Sequence, residues 1–135
     1  MTELAGKEFV PFPEKFSSFV VEPAKEIKLA KEVGATTKLT LTNQGKIPVL
    51  YKVKCTNNSR IGIPDCAGVL TDGKTAQVEL KRKQLDEKAE DRICVVYTLM
   101  GDNGGENALV QWRRAIAQQI PTKSIVLKVS EASKN

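Results

Sequence analysis

An all-β sandwich with one short helix near the C-terminal end is the fold this sequence predicts. Three observations carry that prediction. Several short runs alternate apolar and polar residues at a period of two, which is the signature of half-buried strands. Turn residues separate those runs. A single segment departs from the period and spaces its apolar residues as a helix does. At 135 residues the chain is one domain with enough length for a genuine core.

The elements follow in order. Residues 1–15 are expected to be irregular, because Pro11 and Pro13 forbid a regular helix or a central strand. Phe9, Val10 and Phe12 nevertheless suggest that this stretch docks on its own domain or on a neighbour. The expected organisation is an N-terminal extension over 1–18, a domain over 19–130 and a tail over 131–135. Phe19 to Glu22 forms a short strand that ends at Pro23, and Glu26 to Leu29 alternates. Lys38 to Thr42 and Val49 to Thr56 alternate around a polar turn containing Gly45. In the second of these, Val49, Tyr51, Val53 and Cys55 point one way and Lys52, Lys54 and Thr56 the other. Arg60 to Ile63 stops at Pro64, and Gly68 to Leu70 precedes the turn Thr71 to Lys74. Ala76 to Lys81 alternates again, and Gln84 to Asp91 is a charged connection. Arg92 to Leu99 is strongly β-prone, with Arg92, Cys94 and Val96 outward. Ser124 to Val129 is the last strand. The helix is expected over Asn107 to Gln118, burying Ala108, Leu109, Trp112, Ala115 and Ile116 and exposing Gln111, Arg113 and Arg114. The glycine-rich stretch before it, GDNGGEN, lacks phosphate-loop spacing and reads as a loop.

Composition narrows the function classes. The chain has no histidine, and hence lacks the commonest general base and metal ligand. Asp65, Asp72 and Asp91 read as turn residues and strand-end surface charges rather than as a catalytic set. We therefore expect no enzyme, no metal and no cofactor. The three cysteines, Cys55, Cys66 and Cys94, show no CxxC pair and read as reduced thiols. A net charge of +5 with only 5% aromatic residues suits a basic protein-interaction face better than a nucleic-acid surface. No apolar run is long enough to span a bilayer, and the N-terminus lacks a signal-peptide pattern, so direct membrane insertion is not expected and the cytosol is.

Several blocks together resemble one family. They are Val21-Glu22-Pro23, Glu26 to Leu29, Leu39 to Asn43, and Tyr51 to Thr56. Asn57 to Leu70 (NNSRIGIPDCAGVL), Asp91-Arg92-Ile93, Trp112 and Arg113-Arg114 extend the set. In order and spacing they resemble the major sperm protein domain, from about Val20 to Val129, with the middle block similar to the nematode sperm proteins. The same domain occurs in the VAMP-associated proteins. The resemblance implies an immunoglobulin-like seven-stranded β-sandwich. It also implies two activities. Nematode sperm proteins dimerise and build the filaments of amoeboid crawling, and accessory proteins with the same domain join those filaments. VAMP-associated proteins instead bind acidic FFAT peptides on a basic strand face.

Matched residue by residue, that face corresponds to Lys52, Lys54, Cys55 and Thr56 on one strand and Arg92 and Cys94 on another. Cys55 stands where the VAMP-associated proteins have threonine, and Cys94 where they have a methionine lining the phenylalanine pocket. The sequence also shows neither their coiled coil nor their tail anchor. These departures turn the expectation toward the sperm cytoskeleton, with Arg113 and Arg114 as further surface contacts. The expected role is an accessory protein in the pseudopod that binds major sperm protein filaments, or another protein with this domain, and modulates assembly or stability. The alternatives are an adaptor for acidic FFAT-type peptides and a divergent filament subunit that self-associates, starting from a homodimer.

Overall fold

The computed structural model describes residues 9–85, 90–101 and 107–131. The start of the N-terminal extension, the middle of the charged connection, most of the glycine-rich loop and the tail from 132 onward lie outside the described residues. Ten strands and one helix occur among those described. In chain order they are β1 (Phe9–Val10), β2 (Phe19–Glu22), β3 (Glu26–Leu29), β4 (Thr36–Asn43) and β5 (Val49–Cys55). Then come β6 (Ile61–Gly62), β7 (Ala67–Leu70), β8 (Thr75–Arg82), β9 (Arg92–Met100), α1 (Ala108–Ala117) and β10 (Lys123–Glu131).

The strands form two layers. One sheet runs β3-β10-β9-β5-β7, with β1 added on β9; the other runs β2-β4-β8-β6. Between β2 and β3 the chain crosses from one sheet to the other, and the Glu22–Pro23 bond in that crossing is cis. Counting β2 and β3 as one strand that changes sheets, and setting aside the two-residue strands β1 and β6, leaves the seven-stranded immunoglobulin-like plan.

Alternation builds the core. Leu39 and Leu41 of β4 and Val78 and Leu80 of β8 face Val49, Tyr51 and Val53 of β5 across the sandwich. Ile93, Val95, Tyr97 and Leu99 of β9 and Leu127 of β10 complete that layer. Tyr51 pairs across the strands with Gly68, and a Cβ at that glycine would run into the tyrosine ring. Asn43, fully buried at the end of β4, ties the sheets together. Its Nδ2 donates to the carbonyls of Ile47 and Leu70, and its Oδ1 accepts from the Gly45 N–H.

Three sequence expectations are corrected. The N-terminal segment is not wholly irregular, because Phe9–Val10 pairs antiparallel with Leu99 and Met100 of β9. It docks on its own domain. Phe12 and Phe16 set their rings edge-on and tilted around Tyr97, and the Lys123 ammonium lies 5.1 Å from the Phe12 ring centroid. The second correction is Asp91, which is buried rather than a surface charge. Its carboxylate accepts from Arg60 Nη2 at 2.7 Å, from Arg60 Nε, and from Thr56 Oγ1 at 2.9 Å.

The third correction is the roll of the helix. Its limits match expectation, with Asn107 as N-cap accepting from the Val110 N–H. Its buried residues, however, are Gln111, Trp112 and Ala115, whereas Leu109 is 47% exposed and Ile116 is 68% exposed. The helix covers Leu50 and Met100 on the outer side of the first sheet, so only a narrow stripe is buried. Leu50 is accordingly a second-layer core residue on the face that also carries Lys52 and Lys54.

Candidate functional site

Strand register assembles the candidate face. In the first sheet Lys52 of β5 lies opposite Val96 of β9, which lies opposite Ser124 of β10. One step along, Lys54 lies opposite Cys94, and Cys94 opposite Val126. At the strand ends Thr56 meets Arg92, and Arg92 pairs with Lys128. Cross-strand partners share a side of the sheet, so these three rows make one outward surface. Lys54, Arg92, Val126 and Lys128 are exposed, while Lys52, Cys94 and Val96 are half-buried. Cations therefore flank an apolar centre whose most open member is Val126, 53% exposed.

The Asp91 network holds the end of this surface in place. Thr56 Oγ1 donates to Asp91 and accepts from the Arg92 N–H at 3.2 Å. The Arg60 guanidinium beside Asp91, joined by the Thr56 hydroxyl, holds the carboxyl below its ordinary value despite burial. The ion pair itself is largely shielded, its side chains 19% and 6% exposed, which keeps the negative charge away from the outward rows.

The other expected residues separate from it. Cys55 points to the opposite side of β5 and packs against the main core. Its thiol donates to Asn58 Oδ1 at 3.1 Å and to the Ile61 carbonyl at 3.3 Å. Burial pushes that thiol up, so it is a poor nucleophile at neutral pH. It lies in a cleft of about 520 Å³ between β5 and β6, together with Cys66 and Lys83. All three cysteines are free thiols, each half-buried. Arg113 and Arg114 are exposed on α1, not in the strand rows.

Two contributors escaped the sequence reading. Val126 and Lys128 follow from the alternation of β10, but that strand becomes part of the face only through its pairing with β9. The second is a recess of about 200 Å³ between α1 and the sheet, lined by Lys52, Lys54, Val96, Trp112 and Ile120 among others. Helical spacing did not reveal it because it depends on the roll of the helix. Among the described residues no group of three His, Cys, Asp or Glu side chains could hold a metal, and no helix is long and apolar enough to cross a membrane.

Comparison with known proteins gives the same architecture. Residues 18–119 match the family model of the MSP (Major sperm protein) domain. Among solved structures, WR4, a Caenorhabditis elegans MSP family member, superposes with a TM-score of 0.68 at 18% identity, over 87% of this chain and 100% of that one. SSP-19, an MSP-domain protein like family member of the same nematode, superposes with a TM-score of 0.68 at 17% identity, over 84% and 98%. The PapD-like domain 7 of human CEP192 shares the fold more distantly, with a TM-score of 0.51 at 11% identity over 93% and 95% of the two chains. No curated protein sequence matches the chain.

Proposed function

Because the chain belongs to the major sperm protein domain family, we propose that it is a cytoskeletal accessory protein of nematode amoeboid sperm. It binds major sperm protein filaments, or another protein with this domain, and modulates their assembly or stability. The pseudopod cytoskeleton is its proposed location. The observation that carries this reading is the surface on β5, β9 and β10, where Lys52, Lys54, Arg92 and Lys128 surround Cys94, Val96 and Val126. Paired charges on one face steer an acidic partner over a distance of about a Debye length, and the apolar centre gives the encounter something to bury. The likeness to the two nematode proteins supports the setting.

Co-sedimentation with purified major sperm protein filaments tests it. The chain should pellet at low salt, and pelleting should weaken as salt rises. Lys54→Glu combined with Arg92→Glu should leave it in the supernatant. Failure of the unaltered chain to pellet at any salt or pH would sink the proposal. Pelleting without added filaments would mean self-assembly instead.

One arrangement favours a second reading. Cys94 and Val96 lie half-buried between cations, which suits an aromatic side chain within an acidic tract. A labelled FFAT-type peptide separates the two. Saturable peptide binding lost on Lys54→Glu, without filament binding, would assign an adaptor role.

A further inference from the structure

The end of α1 builds a recess that the strand face does not need. Gln119 adopts a left-handed backbone conformation, with φ of 55°. Its N–H bonds to the Ile116 carbonyl, and the Ile120 N–H bonds back to the Ala115 carbonyl. This is the hydrogen-bond pattern of a Schellman turn, which folds the chain back across the last helical turn. It returns Ile120 to the sheet beside the Leu50–Trp112 cluster. The gap left behind has a volume of about 200 Å³. Val96, Trp112, Ile116 and Ile120 form its walls, and Lys52 and Lys54 stand at its edge. The indole N–H of Trp112 is shut off from solvent, so the ring presents carbon to the opening.

We infer that this recess is an anchor pocket for one aliphatic side chain of an acidic segment in a partner protein. The inference rests on the partner reading above and names where such a segment is gripped. Size argues for a single side chain, since pockets for whole small molecules start at roughly 300 Å³. Charge argues for the flanking residues. The edge carries two lysines, and no acidic side chain lines the recess. Lysine stems can lie along the apolar wall while their ammonium groups meet carboxylates on either side of the anchor. Ile116, 68% exposed at the rim, is then an apolar contact that the domain's own packing does not use.

The test is a methyl-detected NMR titration of the full chain. The probe is a short peptide with one leucine flanked on each side by two aspartates, against a control with serine in place of the leucine. The leucine peptide should shift the methyl signals of Val96, Ile116 and Ile120. The serine control should bind at least about tenfold more weakly, the loss expected for one unburied leucine. Ile116→Asp should weaken leucine-peptide binding about as much, with amide signals of the strands unchanged. Ile120→Ser gives an independent check on the opposite wall. Equal binding of both peptides, or methyl shifts confined to Val126, would overturn the pocket. Failure of the pocket is separable from failure of the filament role. If Ile116→Asp still pellets with filaments like the unaltered chain, the pocket is wrong and the role stands. If the unaltered chain never pellets, the role is wrong, and the titration still decides the pocket.

Discussion

At the scale of single residues, Asp91 shows how far local sequence reaches. An aspartate preceding a β-prone run, set between the charged Glu90 and Arg92, reads as a surface charge. Its partners, Thr56 and Arg60, come from a loop more than thirty positions earlier and meet it only when β5 and β9 lie side by side. Cys55 is the opposite case. Its alternation with Tyr51 and Val53 already placed it inward, and it packs against the core as that period requires. For Asp91 the consequence is a pH dependence. Its pKa is lowered chiefly by the Arg60 bond, against the opposing effect of burial. A lowered carboxylate contributes stability above its unfolded pKa of about 4 and loses it as pH falls through the folded value. Asp91→Asn should therefore cost about 2 kcal/mol in urea unfolding at pH 7. The gap between the variant and the unaltered chain should narrow as pH drops from 5 to 3. A gap that stays constant over that range would mean the carboxylate is not titrating against Arg60.

Elements were legible in place and less so in orientation. The eight longer strands lie on runs that alternate, are β-prone or are bounded by turn residues, and α1 begins and ends where its cap and Pro121 suggest. The helix nevertheless buries Gln111 and exposes Ile116, because its roll is set by Leu50 and Met100 on the sheet beneath, not by its own stripe. A helix wheel contains no information about how wide the receiving surface is. The termination of α1 carries a second prediction. Gln119 holds a left-handed conformation that costs a residue with a Cβ about 1–2 kcal/mol, part of which glycine would return as greater unfolded-state freedom. Gln119→Gly should raise stability by about 0.5–1 kcal/mol net. Equilibrium unfolding measures it, and a loss of stability would mean the glutamine side chain makes a compensating contact.

For the whole molecule, sequence patterning specified two apolar faces but not which strands would be neighbours. The pairing of β10 with β9 brings Val126 and Lys128 beside Arg92 and Cys94, and only that topology turns two lysines on one strand into a three-strand surface. The same topology leaves the N-terminal segment at one end of the partner-facing surface. The N-terminal segment pairs with Leu99 and Met100, Phe12 and Phe16 close the core around Tyr97, and Phe9 packs on the Leu50–Trp112 cluster. The partner-facing rows run from Arg92 to Val96, seven to three residues along the same strand from Leu99. At about 3.3 Å per residue they stand from roughly 23 Å down to about 10 Å away. A chain starting at residue 17 loses buried Val10 and the Phe12–Phe16 pair, and should be destabilised by at least about 3 kcal/mol. It should still pellet with filaments in a salt-dependent way wherever it remains folded, because the cationic rows are untouched. Circular dichroism melts and co-sedimentation on one preparation check both halves. A folded truncation that no longer pellets would place the N-terminal segment within the partner surface itself, and would move the site from the strand rows to the far end of β9.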